Sequence, residues 1–298
     1  MSSNPPPLFP PRVIRYPPQV YETSTNGGYV PDQPRLRPRQ RKIWLHLLLF
    51  LLTVASTTLV QGPVYSVCVL SILTAHEFGH YFAARHYRVP ATLPYFIPFP
   101  SFLGTLGAVI RMSPYIPNRR ALFDIAAAGP VAGLVVAFPL SFLGIYLSEQ
   151  VPMPEQGANW INLGDPLIFR AMQWVIFGHQ PDEVALLLHP VAFAGWVGLF
   201  VTALNLLPIS QLDGGHINYA LFGRRSRMVA IVAFLLLAIV TAIQGFQYLI
   251  MLILLLFMGI GHPPTVNDAV DLGRGRRRIG FWLWVIFILC FTPAPFRM

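Results

Sequence analysis

The chain has 298 residues, of which 54% are apolar and only 11% are charged, and its formal net charge is +9. About a quarter of the residues of an ordinary soluble domain are charged. This composition therefore excludes an ordinary soluble domain and indicates a protein that crosses a membrane several times. The basic residues occur in short clusters beside apolar runs, as orientation in a membrane requires, and a nucleic-acid partner is therefore not expected.

The first 42 residues are rich in proline and poor in aliphatic side chains, and they end in a basic cluster. Such a segment cannot bury enough apolar surface to fold, which predicts a disordered tail over residues 1–42. No apolar core follows a charged start in this region. A cleaved secretory signal is therefore not expected.

Six apolar runs follow the tail, most of them near the roughly twenty residues that a helix needs to cross a membrane. A seventh run, 279–292, is shorter. The predicted fold class is an all-α, polytopic transmembrane helix bundle with six core helices, and the seventh run is left open. The six runs cover residues 43–62, 64–88, 121–147, 188–208, 228–244 and 246–261.

Strict alternation of six crossings places nearly all basic residues on one side. Of the 21 Lys and Arg residues, all except Arg170 and Arg297 fall on the side of the tail. The positive-inside rule makes that side cytoplasmic. We therefore expect a multi-pass protein of the cell membrane with a cytoplasmic N-terminus. The acidic loop 148–187 falls outside, and its apolar piece, Leu167–Phe177, is expected to lie along the membrane interface.

The second run contains the sequence His76-Glu77-Phe78-Gly79-His80. Residues four apart lie on one face of a helix, so His76 and His80 can both point an imidazole nitrogen at one metal ion, with Glu77 beside them. A glutamate among apolar residues in a bilayer costs about 2.5 to 3.5 kcal/mol and is not expected there without a partner or a task. The pattern predicts a metallohydrolase centre rather than a chance spacing.

A catalytic zinc ion generally takes three protein ligands, so a third ligand must come from another part of the chain. The candidate is Asp213, which follows the fourth run. Pro208 breaks the helix before it, and Gly214 and Gly215 after it permit unusual backbone angles that could turn the aspartate inward. The alternative is that Asp213 is a turn residue, since Asp-Gly is a common turn dipeptide.

These motifs resemble those of the site-2 protease family of intramembrane zinc metalloproteases, over about residues 43–265. Many bacterial members carry PDZ or CBS domains, and this chain resembles the minimal form without them. The matching motifs are, in chain order, His76-Glu77-x-x-His80, Asn205-x-x-Pro208 and Leu212-Asp213-Gly214.

The resemblance implies a site and an activity. It implies that His76, His80 and Asp213 bind Zn²⁺, that Glu77 is the general base, and that Asn205 binds the substrate near the scissile peptide. The residue types fit, because zinc lowers the pKa of a bound water toward 7 while a carboxylate takes the proton. The implied partners are a membrane-anchored protein substrate and the lipid bilayer. Asn205 has a second interpretation, as an amide that caps the broken helix end.

Residues 94–112 contain too many prolines for a crossing, and they alternate apolar residues with glycine and arginine. This pattern predicts a membrane-associated β-hairpin whose open strand edge could hold an unwound substrate by strand addition. The alternative is an interfacial loop that only covers the site. On the third run, Gly129 and Gly133 form a small-residue stripe that is expected to pack against the helix of His76.

The expected domain organisation is the tail 1–42, a protease core 43–265, and a basic linker with a possible extra helix over 266–298. Asp124 lies four residues after Arg120, which predicts an ion pair between them. The remaining polar residues near the predicted cytoplasmic face, His216 and His262, are interpreted as incidental. The cysteines Cys68 and Cys290 lie in separate apolar runs and predict neither a disulfide nor a zinc cluster.

Two other functions share part of the pattern. Prenylated-peptide endoproteases also place His-Glu-x-x-His on a membrane helix, but they are expected to supply a glutamate as third ligand. No glutamate follows Glu77 before the outer loop. A metal transporter or sensor is expected to show internal repeats and a polar path at mid-membrane, and the sequence shows neither.

Overall fold

The computed structural model of the protein describes residues 43–153, 162–179, 181, 184–245 and 247–297. The predicted tail, 1–42, lies outside these residues. The described chain is mostly helical, as the sequence predicts. Its helices are α1 Ile43–His86, α2 Arg119–Tyr146, α3 Leu167–Phe177, α4 Pro190–Asn205, α5 Asp213–Phe222, α6 Ser226–Ile243, α7 Leu249–Met258 and α8 Arg274–Cys290.

Short strands form three antiparallel pairs in the described part of the chain. The first pair lies between α1 and α2, the second joins the two ends of the loop between α2 and α4, and the third joins that loop to the segment after α8. The pairs are β1 Tyr95–Pro98 with β2 Thr105–Val109, β3 Glu149–Pro152 with β5 Val184–Leu187, and β4 Asn162–Leu163 with β6 Phe296–Arg297.

Helix α1 is a hairpin of two arms that meet at Gly62. Gly62 has φ 87° and ψ 167°, which is not helical, and Pro63 follows it. Thr57 Oγ1 lies 2.7 Å from Ser66 Oγ, although a straight helix would separate these residues by about 13.5 Å along its axis. The chain therefore reverses at Gly62, between the first two apolar runs of the sequence.

Three helical stretches of the described chain are long and apolar enough to cross a membrane: Ile43–His86, Arg119–Tyr146 and Asp213–Ile243. The third combines α5, a 3-10 turn and α6. Helix α4, with 16 residues, and α7, with 10, are shorter than the roughly twenty residues of a full crossing. By length and composition the chain is a membrane protein.

Helix α4 lies at the centre of the bundle, where small residues let neighbouring helices come close. Trp196 of α4 is fully buried. A Cβ at Gly195 would lie 2.4 Å from Ser141 Oγ of α2, and a Cβ at Gly198 would lie 2.9 Å from the Ile72 side chain of α1. This packing joins α1, α2 and α4 into the scaffold of the candidate site.

Strands β1 and β2 lie along the first arm of α1. Near the start of β1, His46 Nδ1 is 3.0 Å from Pro94 O, and in the loop between the strands Phe102 O accepts a hydrogen bond from Gln61 Nε2 at 3.0 Å. The helix rises by about 22 Å from His46 to Gln61. The strand pair therefore extends along most of the arm.

Helix α8 is attached to α2 by an ion pair that the sequence analysis missed. Arg276 Nε and Nη2 donate to the two carboxylate oxygens of Asp124, each at 2.7 Å. The predicted pair of Asp124 with Arg120 is wrong, since Arg120 Nε donates to the backbone oxygen of Asp271. Arg276 competes successfully because its guanidinium binds the carboxylate with two parallel hydrogen bonds.

Candidate metal centre

His76, His80 and Asp213 come together inside the bundle. The two histidines lie one turn apart on the second arm of α1 and are 3% and 5% exposed, and Asp213 is the first residue of α5. His76 Nε2 is 3.1 Å from His80 Nε2. These two nitrogens are 3.3 Å and 3.2 Å from Asp213 Oδ2. The structure thus places all three sequence-predicted ligands around one point.

The three atoms fit a tetrahedral zinc ion. Bonds of about 2.0 to 2.1 Å at tetrahedral angles place ligand atoms roughly 3.3 to 3.4 Å apart, and the separations here are 3.1, 3.2 and 3.3 Å. Two imidazole nitrogens and a carboxylate oxygen are usual zinc donors, and three protein ligands leave one position for water or substrate. The donor set therefore suits a catalytic zinc rather than a closed structural one.

The ring of His80 is oriented by a backbone carbonyl. Its Nδ1 lies 2.8 Å from Ile125 O of α2, and because a carbonyl oxygen only accepts, Nδ1 carries the proton of the neutral ring. Nε2 then offers a lone pair toward Asp213. A ligating histidine usually has such a partner on its other nitrogen, which fixes the ring and raises its basicity.

Two glycines let α2 approach the histidines. A Cβ at Gly129 would lie 2.1 Å from His80 Nε2, and a Cβ at Gly133 would lie 3.2 Å from His76 Cβ. From the other side, a Cβ at Gly79 would lie 2.4 Å from the backbone oxygen of Ala128. The predicted packing of this glycine stripe against the histidine helix is confirmed. It leaves room for the two imidazoles.

Asp213 follows an irregular segment, 206–212, that begins where α4 ends. The helix stops at Asn205, since residues just before a proline, here Pro208, avoid helical angles. Buried Asn218 of α5 holds the segment, because its Nδ2 donates to Pro208 O and to Ser226 O, each at 3.0 Å. Sequence reasoning missed Asn218, and a single amide inside a short helix gives no signal for this role.

The two glycines after Asp213 act differently from what we expected. Gly214 and Gly215 are helical and do not supply unusual backbone angles, so that prediction is wrong. The residue with positive φ in this region is Ser210, at 57°. The glycines are needed for space instead, because a Cβ at Gly214 would lie 2.0 Å from Leu206 O.

Glu77 lies beside the ligands and is 5% exposed. The backbone N–H of Ile110, the residue after β2, lies close to its carboxylate. Asn205 Nδ2 lies 3.1 Å from His76 Nε2. His76 Nε2 cannot both accept a hydrogen bond from Asn205 and bind a metal ion. With an ion in place, the Asn205 amide would therefore be available to another group near the ion.

The candidate metal centre faces a cleft of about 380 Å³. The cleft is lined by Ala108 and Val109 of β2, by Ile110 and Met112 after it, by Met258 at the end of α7, and by residues 262–265. Glu77 and Asn205 both line this cleft. His216 and His262 line it as well. They are therefore close to the site, although the sequence alone indicates no role for them.

Comparison with known proteins gives the same result as the motifs. Residues 64–244 match the model of peptidase family M50. The chain is 30% identical over 234 residues to "Probable zinc metalloprotease EGY1, chloroplastic" of Oryza sativa subsp. japonica, covering 76% of this chain and 39% of the rice protein. It is 27% identical over 292 residues to the protein of the same name in Arabidopsis thaliana, covering 95% of this chain and 49% of that protein.

A third relative is "Probable zinc metalloprotease EGY2, chloroplastic" of Oryza sativa subsp. indica, 29% identical over 248 residues, with 80% of this chain and 44% of the relative covered. The chain thus spans less than half the length of these relatives. The family match, however, covers more than half of the chain and includes all of the residues that converge on the cleft from α1 and α5. The chain belongs to peptidase family M50, the site-2 protease family.

Proposed function

We propose that the protein is an intramembrane zinc metalloprotease that hydrolyses peptide bonds within or near the membrane segment of anchored protein substrates. The observation that carries the proposal is the triangle of His76 Nε2, His80 Nε2 and Asp213 Oδ2, with sides of 3.1 to 3.3 Å, beside the Glu77 carboxylate. The match to peptidase family M50 and the names of the relatives support the same activity.

The roles of the residues follow from their positions. A zinc ion held by His76, His80 and Asp213 would polarise the scissile carbonyl and acidify an attacking water. Glu77 accepts the proton of that water and passes it to the leaving amine nitrogen. The Ile110 N–H keeps the carboxylate oriented for this transfer. Asn205 donates to the substrate carbonyl as negative charge develops on its oxygen.

The strand pair β1–β2 presents the substrate. A peptide in a transmembrane helix has its backbone groups hydrogen-bonded to one another, so it must be unwound before its carbonyl can react. Residues 108–110 line the cleft, while β2 pairs with β1 along its other edge. An unwound substrate adds as a strand to the edge that faces the cleft and places its carbonyl beside the metal.

The membrane topology has six core crossings: the two arms of α1, then α2, α4, α6 and α7. Helix α8 adds a seventh, the core is 43–265, and the N-terminus is cytoplasmic in a cell membrane. Contacts at the two ends of the bundle support this. Asn267 pairs with Asn118 at the start of α2, and β6 pairs with β4 of the outer loop. Segment 94–112 dips into the membrane along α1, and α3 lies at the outer interface with Trp174 exposed.

The Glu77→Gln variant tests the proposal, compared with the wild type in reconstituted vesicles that contain single-span test proteins. The wild type should contain about one zinc per chain and cleave a subset of the test proteins. Glu77→Gln should keep the zinc and lose cleavage, because the amide cannot take a proton. A metal carrier would instead move zinc across the vesicle membrane in both forms and cleave nothing. A Glu77→Gln protein that cleaves at the wild-type rate would refute the assigned role.

A further inference from the structure

Residues 258–265, which we call the strap, run from the last residue of α7 toward the segment before α8. Met258 and residues 262–265 of the strap line the cleft, as part of β2 does. Beyond the strap the chain is fixed to the core by its backbone. Val266 N donates to Ile116 O and Asn267 N to Pro117 O, each at 3.0 Å. The far end of the strap is therefore attached to the segment that leads into α2.

The strap itself is held by side chains of α5. Asp268 accepts hydrogen bonds from Tyr219 Oη at 2.5 Å and from Thr265 Oγ1 at 2.6 Å. Nearer the metal centre, His262 stacks on the ring of Tyr219, with 4.6 Å between the centroids. His262 also lies 2.5 Å from His216, measured between His262 Nε2 and His216 Nδ1.

The donor and acceptor roles in the contact between the two histidines can be assigned. Burial lowers the pKa of His262, so its ring is neutral near pH 7. Its Nδ1 donates to Pro263 O, which leaves Nε2 as an acceptor. His216 Nδ1 must therefore be the donor to His262 Nε2. The pair connects the strap to a residue that lies three positions after Asp213.

We propose that the His216–His262 pair positions the strap as the second wall of the cleft, so that an extended substrate peptide is held between the strap and β2. This inference rests on the proposed protease function. Apart from Glu77 and Asp213, the described residues that line the cleft include no carboxylate, lysine or arginine. The peptide held there is accordingly uncharged around the cut, and the strap contributes contact rather than chemistry.

The test separates binding from chemistry. We compare His262→Ala, His262→Phe, which keeps the ring stacking but not the hydrogen bond, and His262→Gln, which can still donate and accept. His179→Ala, an exposed histidine outside the cleft, is the matched control. The measurements are KM, kcat and zinc content with one reconstituted substrate. A second readout is the mobility of a nitroxide on P264C in a background of Cys68→Ala and Cys290→Ala.

We expect KM to rise about fivefold or more in His262→Ala and His262→Phe, while kcat changes less than about twofold and the zinc content stays the same. This pattern means that the lost contact stabilises the bound substrate and the transition state equally. His262→Gln should recover most of the loss. His216→Ala should give the same KM, and the double variant should be no worse, because either change breaks the one contact. The nitroxide should become more mobile in each loss variant.

An unchanged KM together with an immobile nitroxide would overturn the proposal. So would a fall in kcat at constant KM, since the pair would then act on the reaction itself. If the wild type binds zinc but cleaves nothing, the proposed function fails, while the nitroxide measurement still decides whether the pair holds the strap.

Discussion

The imidazole of His80 occupies the space that any side chain at position 129 would fill, because a Cβ at Gly129 would lie 2.1 Å from His80 Nε2. Neither partner can move easily. His80 is hydrogen-bonded to Ile125 O of the same helix that carries Gly129. The position of His80 Nε2 therefore depends on the absence of one methyl group on the neighbouring helix.

We predict that Gly129→Ala weakens zinc binding by about 10- to 100-fold, the usual effect of disturbing the support of a ligand. Gly133→Ala is the matched control on the same helix. Its Cβ would approach His76 no closer than 3.2 Å, so zinc affinity should change by less than about threefold. Titration against a competing chelator measures both. Equal affinities in the two variants would contradict this account of Gly129.

Removal of the third ligand should abolish zinc binding. Asp213→Ala leaves two histidines, and we expect the affinity to fall by more than about 100-fold, beyond the effect of a lost supporting contact. Asp271→Asn removes a negative charge near the surface, where the carboxylate binds Arg277, and should leave the zinc content unchanged. Metal analysis after dialysis distinguishes the two. Normal zinc in Asp213→Ala would mean that Asp213 is only a turn residue.

Asn205→Ala should separate the two interpretations of this amide. If it stabilises charge on the substrate oxygen, kcat should fall by about 10²- to 10³-fold while the zinc content stays the same. If it caps the end of α4, kcat per folded molecule should be unchanged and only the free energy of unfolding should fall, by about 1 kcal/mol. Its contact with His76 leads us to expect the first result.

Ile110→Pro removes one backbone N–H and little apolar volume. This N–H lies close to the Glu77 carboxylate, and we expect the substrate strand to add at the same edge. We predict a fall in kcat of about 10-fold or more, the range of general-base assistance, with zinc retained. Ile110→Val keeps the N–H and should behave as wild type. Normal turnover of Ile110→Pro would exclude both roles of this backbone group.

Asn218→Ala should destabilise the segment that carries Asp213. Both hydrogen bonds of its Nδ2 are buried, so Pro208 O and Ser226 O lose their donor, at a cost of about 1 to 3 kcal/mol for each unsatisfied group. The unfolding temperature should drop, and added zinc should restore part of the loss. Asn162→Ala, at an exposed position of β4, is the control. An unchanged unfolding temperature in Asn218→Ala would remove this residue from the account.

The sequence was enough to predict which three side chains come together, because their signals are local. The spacing of His76 and His80 fixes a shared helix face, and the topology brings Asp213 to the same end of the bundle. The irregular chain after Asn205 was anticipated from Pro208.

The supporting contacts could not be predicted in the same way. Ile125 O and Ile110 N–H are backbone groups, which every residue has, so no residue type marks them. The contact of His216 with His262 joins positions 46 residues apart. Asp124 pairs with Arg276 and not with Arg120 because of where α8 packs. The local spacing of residues in α2 holds no information about that packing.

The two prolines of the strap have a consequence for the protein's own backbone. Two residues after Pro264 the chain begins to form a ladder with the segment before α2, since Val266 and Asn267 donate to Ile116 O and Pro117 O. Pro263 and Pro264 have no N–H to donate, so the ladder cannot propagate back along the strap. Without that interruption the strap would pair with the protein's own backbone along the cleft. The hydrogen-bonding groups that an incoming peptide needs would then already be bonded.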